Sequence, residues 1–333
     1  NGITIDPNGL NYQSRDDTFT IEYGTDGMTL AITYMNATQG WIPTIDEAVT
    51  DVPVSPVYNP TGIFGGGSGP VGVSNLVSTA GVVASDTAAV MTARSYISAT
   101  EYGNEKGIFG FGDIGSSTYT GVTNLVSNAG VVSSDTAAVG AARYGPGAVV
   151  YGGDKAIFAF GENGGYVTTK NLVSNAGVVA ADAAGAGTAR TMLGCCEYGD
   201  NKDKAIMRGG YSGSYVSMSN LISNSGVVAA DVTGVGTARG WAAGCQYGYT
   251  KAIIGFGYDG SNLDMTNLIS DTGVVASDTT GVGTARHGVA GCEYNYDKGI
   301  MAYGNSGSQT TLTNLVSNTG IMASDGAGAG TAR

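Results

Sequence analysis

Glu101, Glu197 and Glu293 each stand seven residues after an arginine, in alternate phrases of the sequence, with Val150 and Gln246 at the two positions between. Carboxylates that share one space have two chemical uses. A glycosidase sets two of them about 5–9 Å apart, and three at one level raise one another's pKa or hold a cation. The plain alternative is that they are strand residues with no further role, so no catalytic residue, metal ligand or cofactor is assigned. The single histidine, His287, occupies a slot filled elsewhere by Ser95, Tyr144, Thr191 and Gly240. It reads as a lone surface histidine, because Ser/His/Asp catalysis needs an oriented set. Cys196, Cys245 and Cys292 are copies of one strand position, with Cys195 beside the first. They read as buried thiols that behave as small hydrophobes, and they lack the second cluster that a zinc site requires.

Tyrosine carries more information, with 19 copies. Tyr102, Tyr151, Tyr198, Tyr247 and Tyr294 recur once per phrase and read as packing residues. Tyr119, Tyr166, Tyr211, Tyr215 and Tyr258 fall in segments whose wording varies, next to Asn, Asp and Ser. Binding residues concentrate on loops over a rigid scaffold, and such tyrosines can stack on sugar rings and bond their hydroxyls. These five are the candidate binding residues. The competing reading is that they cap sheet edges.

The elements that position these residues repeat. Arg94, Arg143, Arg190, Arg239, Arg286 and Arg333 are spaced by 49, 47, 49, 47 and 47 residues. An Asn-Leu pair keeps the same rhythm, and so does an aspartate eight residues before each arginine: Asp86, Asp135, Asp182, Asp231, Asp278 and Asp325. Residues 240–286 cut into four short apolar runs, WAAGCQY, KAIIGFG, MTNLISD and TGVVASD, separated by Gly, Asp, Asn and Ser. Each has strand length and none has helical period. Four strands per unit of 47–49 residues is the arithmetic of a propeller blade. The Asn128-Ala129-Gly130 and Asp271-Thr272-Gly273 turns need positive φ at glycine. The arginine–aspartate set is expected to staple blades, within one blade or across to the next. The alternative is a ring of guanidiniums gripping an anion.

The unit resembles the kelch repeat. The likeness lies in the arginine before the first strand, in Asp154–Gly161 (DKAIFAFG) entering and ending the second, and in the glycine-rich loop and two strands that follow. It covers residues 61–333, as five full units and one partial unit. At the end of the second strand a glycine doublet stands only at Gly65-Gly66 and Gly209-Gly210, with Phe-Gly or Tyr-Gly in the other copies, and no copy has the fourth-strand tryptophan. In its wording the array is similar to kelch-like arrays of bacteriophage tail and fibre proteins. The resemblance implies an all-β, kelch-like β-propeller of about six four-stranded blades in a virion appendage. A copper-radical oxidase of kelch type needs two histidines, and this chain has one.

Residues 1–50 lack the repeat and read as a short β module for anchoring and oligomerisation, with ITID, TFTIEYG and MTLAITYM as strands. GWIP and the Pro-rich DVPVSPVYNP read as a linker, with residues 51–60 as linker or closing strand. Net charge is −12, with 15 basic residues of which 11 recur in the repeats, so no phosphate-binding stripe remains and nucleic acid is excluded as a partner. No apolar run reaches 18 residues, so no membrane insertion is expected. The expected partners are other virion proteins through residues 1–50 and a host-surface glycan or receptor. A homo-oligomer is expected, with a trimer as the candidate. The alternatives are a secreted bacterial adhesin or lectin at the cell surface, and a polysaccharide-degrading propeller enzyme.

Overall fold

The computed structural model describes residues 3–13, 21–23, 30–45, 59–88 and 90–333. The chain divides into two compact units, residues 1–58 and 59–333. Closure by residues 51–58 lies outside the described residues.

Among its described residues the N-terminal unit has two antiparallel pairs. Ile3–Ile5 pairs with Ile21–Tyr23, and Ala31–Asn36 pairs with Gly40–Ile45. GWIP is therefore strand, contrary to the linker expectation. Pro43 lacks an N–H, and a two-stranded sheet offers it an edge where none is needed. Tyr12 and Tyr23 share a buried hydrogen bond of 2.7 Å between their hydroxyls.

The second unit is all-β, built of small antiparallel sheets. Repeats 1 to 6 are taken as ending at the six recurring arginines. In repeat 3, Gly147–Tyr151, Lys155–Ala159 and Lys170–Val173 form a three-stranded meander. Repeats 2, 4, 5 and 6 do the same, and repeat 1 has the second and third strands among its described residues. The expected fourth strand is not a ladder. It is held by two isolated bridges per repeat, such as Val126↔Val132 and Thr123↔Thr136 in repeat 2. The cause is local. The Asn124 side chain donates to the Ser133 carbonyl (3.1 Å), taking an acceptor that a continuous ladder would use. Val132 is buried while Val131 stays exposed.

The apolar cores lie between repeats, as expected of units that cannot bury their own faces. Tyr102, Ile108 and Phe111 of repeat 2 pack on Ala156, Phe158 and Val173 of repeat 3. Equivalent clusters join repeats 1 and 2, 3 and 4, 4 and 5, and 5 and 6. A sixth joins Tyr294, Ile300, Ala302 and Tyr303 of repeat 6 to Phe64, Val77 and Val83 of repeat 1. The recurring tyrosines act at the same boundaries. Tyr102 lies against Gly177 of the next repeat, and Tyr294 lies against Gly81 of repeat 1. Any Cβ at these glycines would meet the ring, and their φ values of +78° and +73° suit only the hairpin turn.

A polar clasp crosses each of these boundaries. Arg143 is buried, and its Nη2 donates to Asn171 Oδ1 of repeat 3 (2.6 Å) while its Nε donates to the Phe160 carbonyl (2.9 Å). The guanidinium also stacks 4.0 Å over Phe111. Asn171 Nδ2 donates to Asp182 Oδ1 (2.8 Å), and Asp182 accepts the Ala141 N–H (3.0 Å). The arginine therefore meets the aspartate of the following repeat, and the nearer partner is the asparagine: Arg143 to Asp182 is 3.9 Å. Arg190, Arg239 and Arg286 repeat the bond to Asn220, Asn267 and Asn314. Arg94 makes it to Asn124. At the last boundary Thr331 donates to Asp86 through N–H and hydroxyl (Oγ1 to Oδ2, 2.6 Å). Arg333 stacks on Tyr303 (3.9 Å). Asn75 Oδ1 and both terminal nitrogens of Arg333 have no hydrogen-bond partner there.

Burial lowers Arg143, Arg190 and Arg286 to about 10, which leaves them charged at neutral pH. A charge held there depends on its partners. Asn171→Ala removes three hydrogen bonds, one of them to a buried cation; Asn75→Ala removes only the two bonds to Ala84 and Asp86. The extra charged bond predicts that Asn171→Ala costs about 1.5–3 kcal/mol more than Asn75→Ala, measured by denaturant unfolding of both variants. Equal losses would contradict the arginine's dependence on the asparagine.

Candidate functional site

Two cavities meet in the repeat unit. Both are lined by Ala99, Ala148, Cys195, Gly244 and Gly291, the residues five places after successive arginines. These small side chains leave room where the first strands converge.

The smaller cavity, about 180 Å³, contains Glu101, Glu197 and Glu293. Their carboxylate oxygens lie within 4.8 Å of one another, so residues 96 positions apart in sequence share one space. A cation is already seated there. Lys202 Nζ lies 2.6 Å from Glu101 Oε1 and 2.6 Å from Glu293 Oε2. Lys202 is not a repeat position, because the lysine that recurs at Lys106, Lys155, Lys251 and Lys298 is Lys204 in repeat 4. The available signal was length. The turn before that lysine is three residues in the other full repeats and five in repeat 4, Gly199 to Asp203. The lengthened turn contains a three-residue 3-10 segment, Asp200–Lys202, with Asn201 and Lys202 at positive φ, and it carries the ammonium inward. The turn is tied down by Gly152, whose N–H donates to the Asp203 carbonyl (2.9 Å).

Burial, followed by the pull of Glu101 and Glu293, sets the state of Lys202; the carboxylates outweigh burial and hold it charged. Burial raises Glu293 to about 8, with Glu197 adding to the rise and Lys202 opposing it. Three carboxyls around one ammonium thus keep a proton near neutral pH. The thiols are unreactive neighbours. All four cysteines are free, and burial pushes Cys195 up to about 12.

The larger cavity, about 440 Å³, opens beside the variable loops. A chain of backbone bonds lines its mouth: Gly145 N–H to Tyr96 O, Met192 to Gly145, Trp241 to Met192, and Gly288 to Trp241, each 2.9–3.2 Å. Each of these residues is two places after an arginine and has positive φ, between 51° and 65°. That backbone turns Tyr96, Met192 and Trp241 toward the cavity, where His287 joins them.

Behind this row stand all five candidate tyrosines. Isolated bridges pin their loops: Asp113↔Tyr119, Glu162↔Tyr166, Thr191↔Tyr211, Tyr211↔Tyr215 and Gly240↔Tyr258. Their rings form an arc with the cavity row. Tyr96 and Tyr119 flank Tyr144 at 5.4 and 4.8 Å. Tyr166 contacts Tyr211 (6.0 Å), Tyr211 contacts Tyr215 (5.1 Å), and Tyr215 contacts Tyr258 (5.8 Å). Trp241 and Tyr258 both pack on His287, at 5.5 and 5.1 Å. His287 is therefore not a lone surface residue. It is half-buried, Asn262 Oδ1 lies 2.6 Å from its Nδ1, and burial lowers its pKa. With Nδ1–H donating to the amide oxygen, Nε2 is an acceptor.

The arginine set is not in either cavity as an anion grip. Five of the six guanidiniums donate to an asparagine in the clasps, and that of Arg333 is buried over Tyr303. Comparison with protein-family models finds no match, and no curated protein matches the sequence.

The acid cluster gives the fold a pH signature. A carboxyl whose folded pKa is raised binds its proton more tightly when folded, so its contribution is full below the unfolded value near 4.5 and is lost as pH rises to about 8. Asp231, Asp278 and Asp325 act oppositely. Burial raises them, but bonds from threonine and asparagine hold them below the usual range, so their contribution fades as pH falls below about 4. The expected Tm is highest near pH 5 and declines toward pH 8.5, and Glu293→Gln flattens that decline. A decline of equal slope in the variant would contradict it.

Proposed function

We propose that this chain is a non-enzymatic binding protein: a kelch-like β-propeller of six blades whose aromatic arc seats a polyhydroxylated ligand. The six boundary cores and the contacts of Thr331 and Arg333 with repeat 1 support a wheel of six units. The smaller cavity is then the end of the central channel that Lys202 occupies, and the larger cavity is its open mouth. The observation that carries the binding role is the arc itself, with nine aromatic rings or imidazoles from five repeats gathered beside one cavity and interleaved with Thr191, Asn262, Asn305 and Gln309. Flat rings stack on sugar faces, and hydroxyl and amide groups bond sugar hydroxyls.

The setting that fits is a virion appendage such as a phage tail fibre, with the N-terminal β unit joining copies to one another and to other virion proteins. The glycine-rich repeat and the acidic charge support an extracellular particle protein. A secreted adhesin would use the same site in the same way.

An enzyme acting on polysaccharide is the second reading, favoured by one observation: Glu197 and Glu293 sit together with the latter's pKa raised. Lys202 seated between Glu101 and Glu293 counts against it. Turnover of host polysaccharide abolished by Glu293→Gln would establish this second reading.

On an array of oligosaccharides and host-envelope polysaccharides, the full chain is expected to be retained without product release. Trp241→Ala is expected to weaken retention at least about tenfold, equivalent to about 1.4 kcal/mol, and Tyr211→Ala to weaken it less, since its ring lies behind the cavity row. Retention indifferent to both changes, in variants with unchanged Tm, would remove the site.

A further inference from the structure

We infer that the arc takes an uncharged glycan and discriminates against acidic ones bearing sialate, uronate, sulfate or phosphate. This rests on the reading of the arc as a saccharide seat and narrows the chemistry of its ligand.

Anionic sugars are recognised by guanidinium or ammonium groups, bidentately for arginine. Such groups can be traced one by one, because the chain has only 15 basic residues, 14 of them described. Arg94, Arg143, Arg190, Arg239 and Arg286 are buried in the clasps. Arg208 is buried against the Val235 carbonyl. Lys106, Lys155, Lys204, Lys251 and Lys298 begin the second strands, paired with the last residue of each first strand. That is the end of the sheet away from the residues that follow the arginines, where the arc stands. Lys170 donates to the Gly226 carbonyl (3.1 Å), and Lys202 lies in the acid cluster.

Among the described arginines, Arg333 alone borders the larger cavity. Its Cβ, Cγ and Cδ lie against Gly67, while its head stacks over Tyr303 with both terminal nitrogens buried. It turns an aliphatic stem to Gly67 and keeps both terminal nitrogens out of the cavity.

The charges that do stand among the arc residues are negative. Glu162 accepts the Tyr144 hydroxyl (2.6 Å), Asp113 bridges Ser95 and Tyr119, and Asp259 adjoins Tyr258. His287 offers an acceptor nitrogen at neutral pH. The polar groups facing the cavity are neutral: Ser68, Ser95, Asn305 and Gln309. These exchange hydrogen bonds with hydroxyls and leave a carboxylate or sulfate without a counter-charge beside like charges.

The test is an affinity measurement on matched pairs of oligosaccharides that differ only by an added sialate, sulfate or glucuronate, at neutral pH, in low and high salt. The expected result is binding of the neutral member, at least about tenfold weaker binding of the acidic one, and little response to salt. Gln309→Lys, which places an ammonium at the mouth, is expected to narrow the difference at low salt. Tighter binding of the acidic member, lost in Trp241→Ala, would overturn the inference and leave the saccharide seat standing. Binding of neither member, or binding that survives Trp241→Ala, would overturn the seat and the inference together.

Discussion

A guanidinium without water must find its hydrogen-bond partners in protein, and no repeat of this chain provides them alone. Arg190 takes Asn220 and the Gly209 carbonyl from the next repeat, and the Thr188 carbonyl and the Phe160 ring face from its own. The asparagine is committed in turn to an aspartate, and the aspartate to the threonine before the arginine. Each unit is thus a half-clasp at both ends. The same logic extends to the last unit, whose Thr331 reaches Asp86 across 245 residues of sequence.

This arrangement leaves the first strands free for other uses. With the recurring arginines held in the clasps and apolar area in the boundary clusters, the first strands can carry alanine, cysteine and glycine at their middles. The two ends then differ. One holds three carboxylates around a lysine delivered by a longer turn. The other holds aromatic rings set by a relay of left-handed residues. Backbone geometry fixes both, through Lys202 at φ 55° and Trp241 at φ 53°.

The period made the clasp residues, the strands and the hairpin glycines legible, because a position with a fixed role in every unit recurs. Alternate spacing brought Glu101, Glu197 and Glu293 under suspicion for the same reason, and they do converge. What stayed hidden breaks the period. Lys202 arises from a two-residue insertion in one unit. Trp241 has Tyr96, Gly145, Met192 and Gly288 as counterparts, so its slot looked variable, when the constant feature was a left-handed backbone that carries no sequence label. The same variability disguised His287. The fourth strand was misjudged because its alternation resembles a ladder strand, whereas the asparagine side chain takes its place in the bonding. Whether arginine paired inside its own unit or beyond it depends on how far the chain turns between them, which spacing alone does not fix.

The decisive measurement concerns the meeting of the first and last units. Asp86→Cys with Thr331→Cys puts two thiols where oxygen atoms now lie 2.6 Å apart, while the native thiols at 195, 196, 245 and 292 are held protonated by burial. Mild oxidation of the doubly substituted chain is expected to give one intrachain disulfide, visible as a faster-migrating monomer on a non-reducing gel and as a linked peptide pair by mass spectrometry. Disulfides formed only between chains, or none, would mean that the two units do not meet, and the wheel would have to be given up.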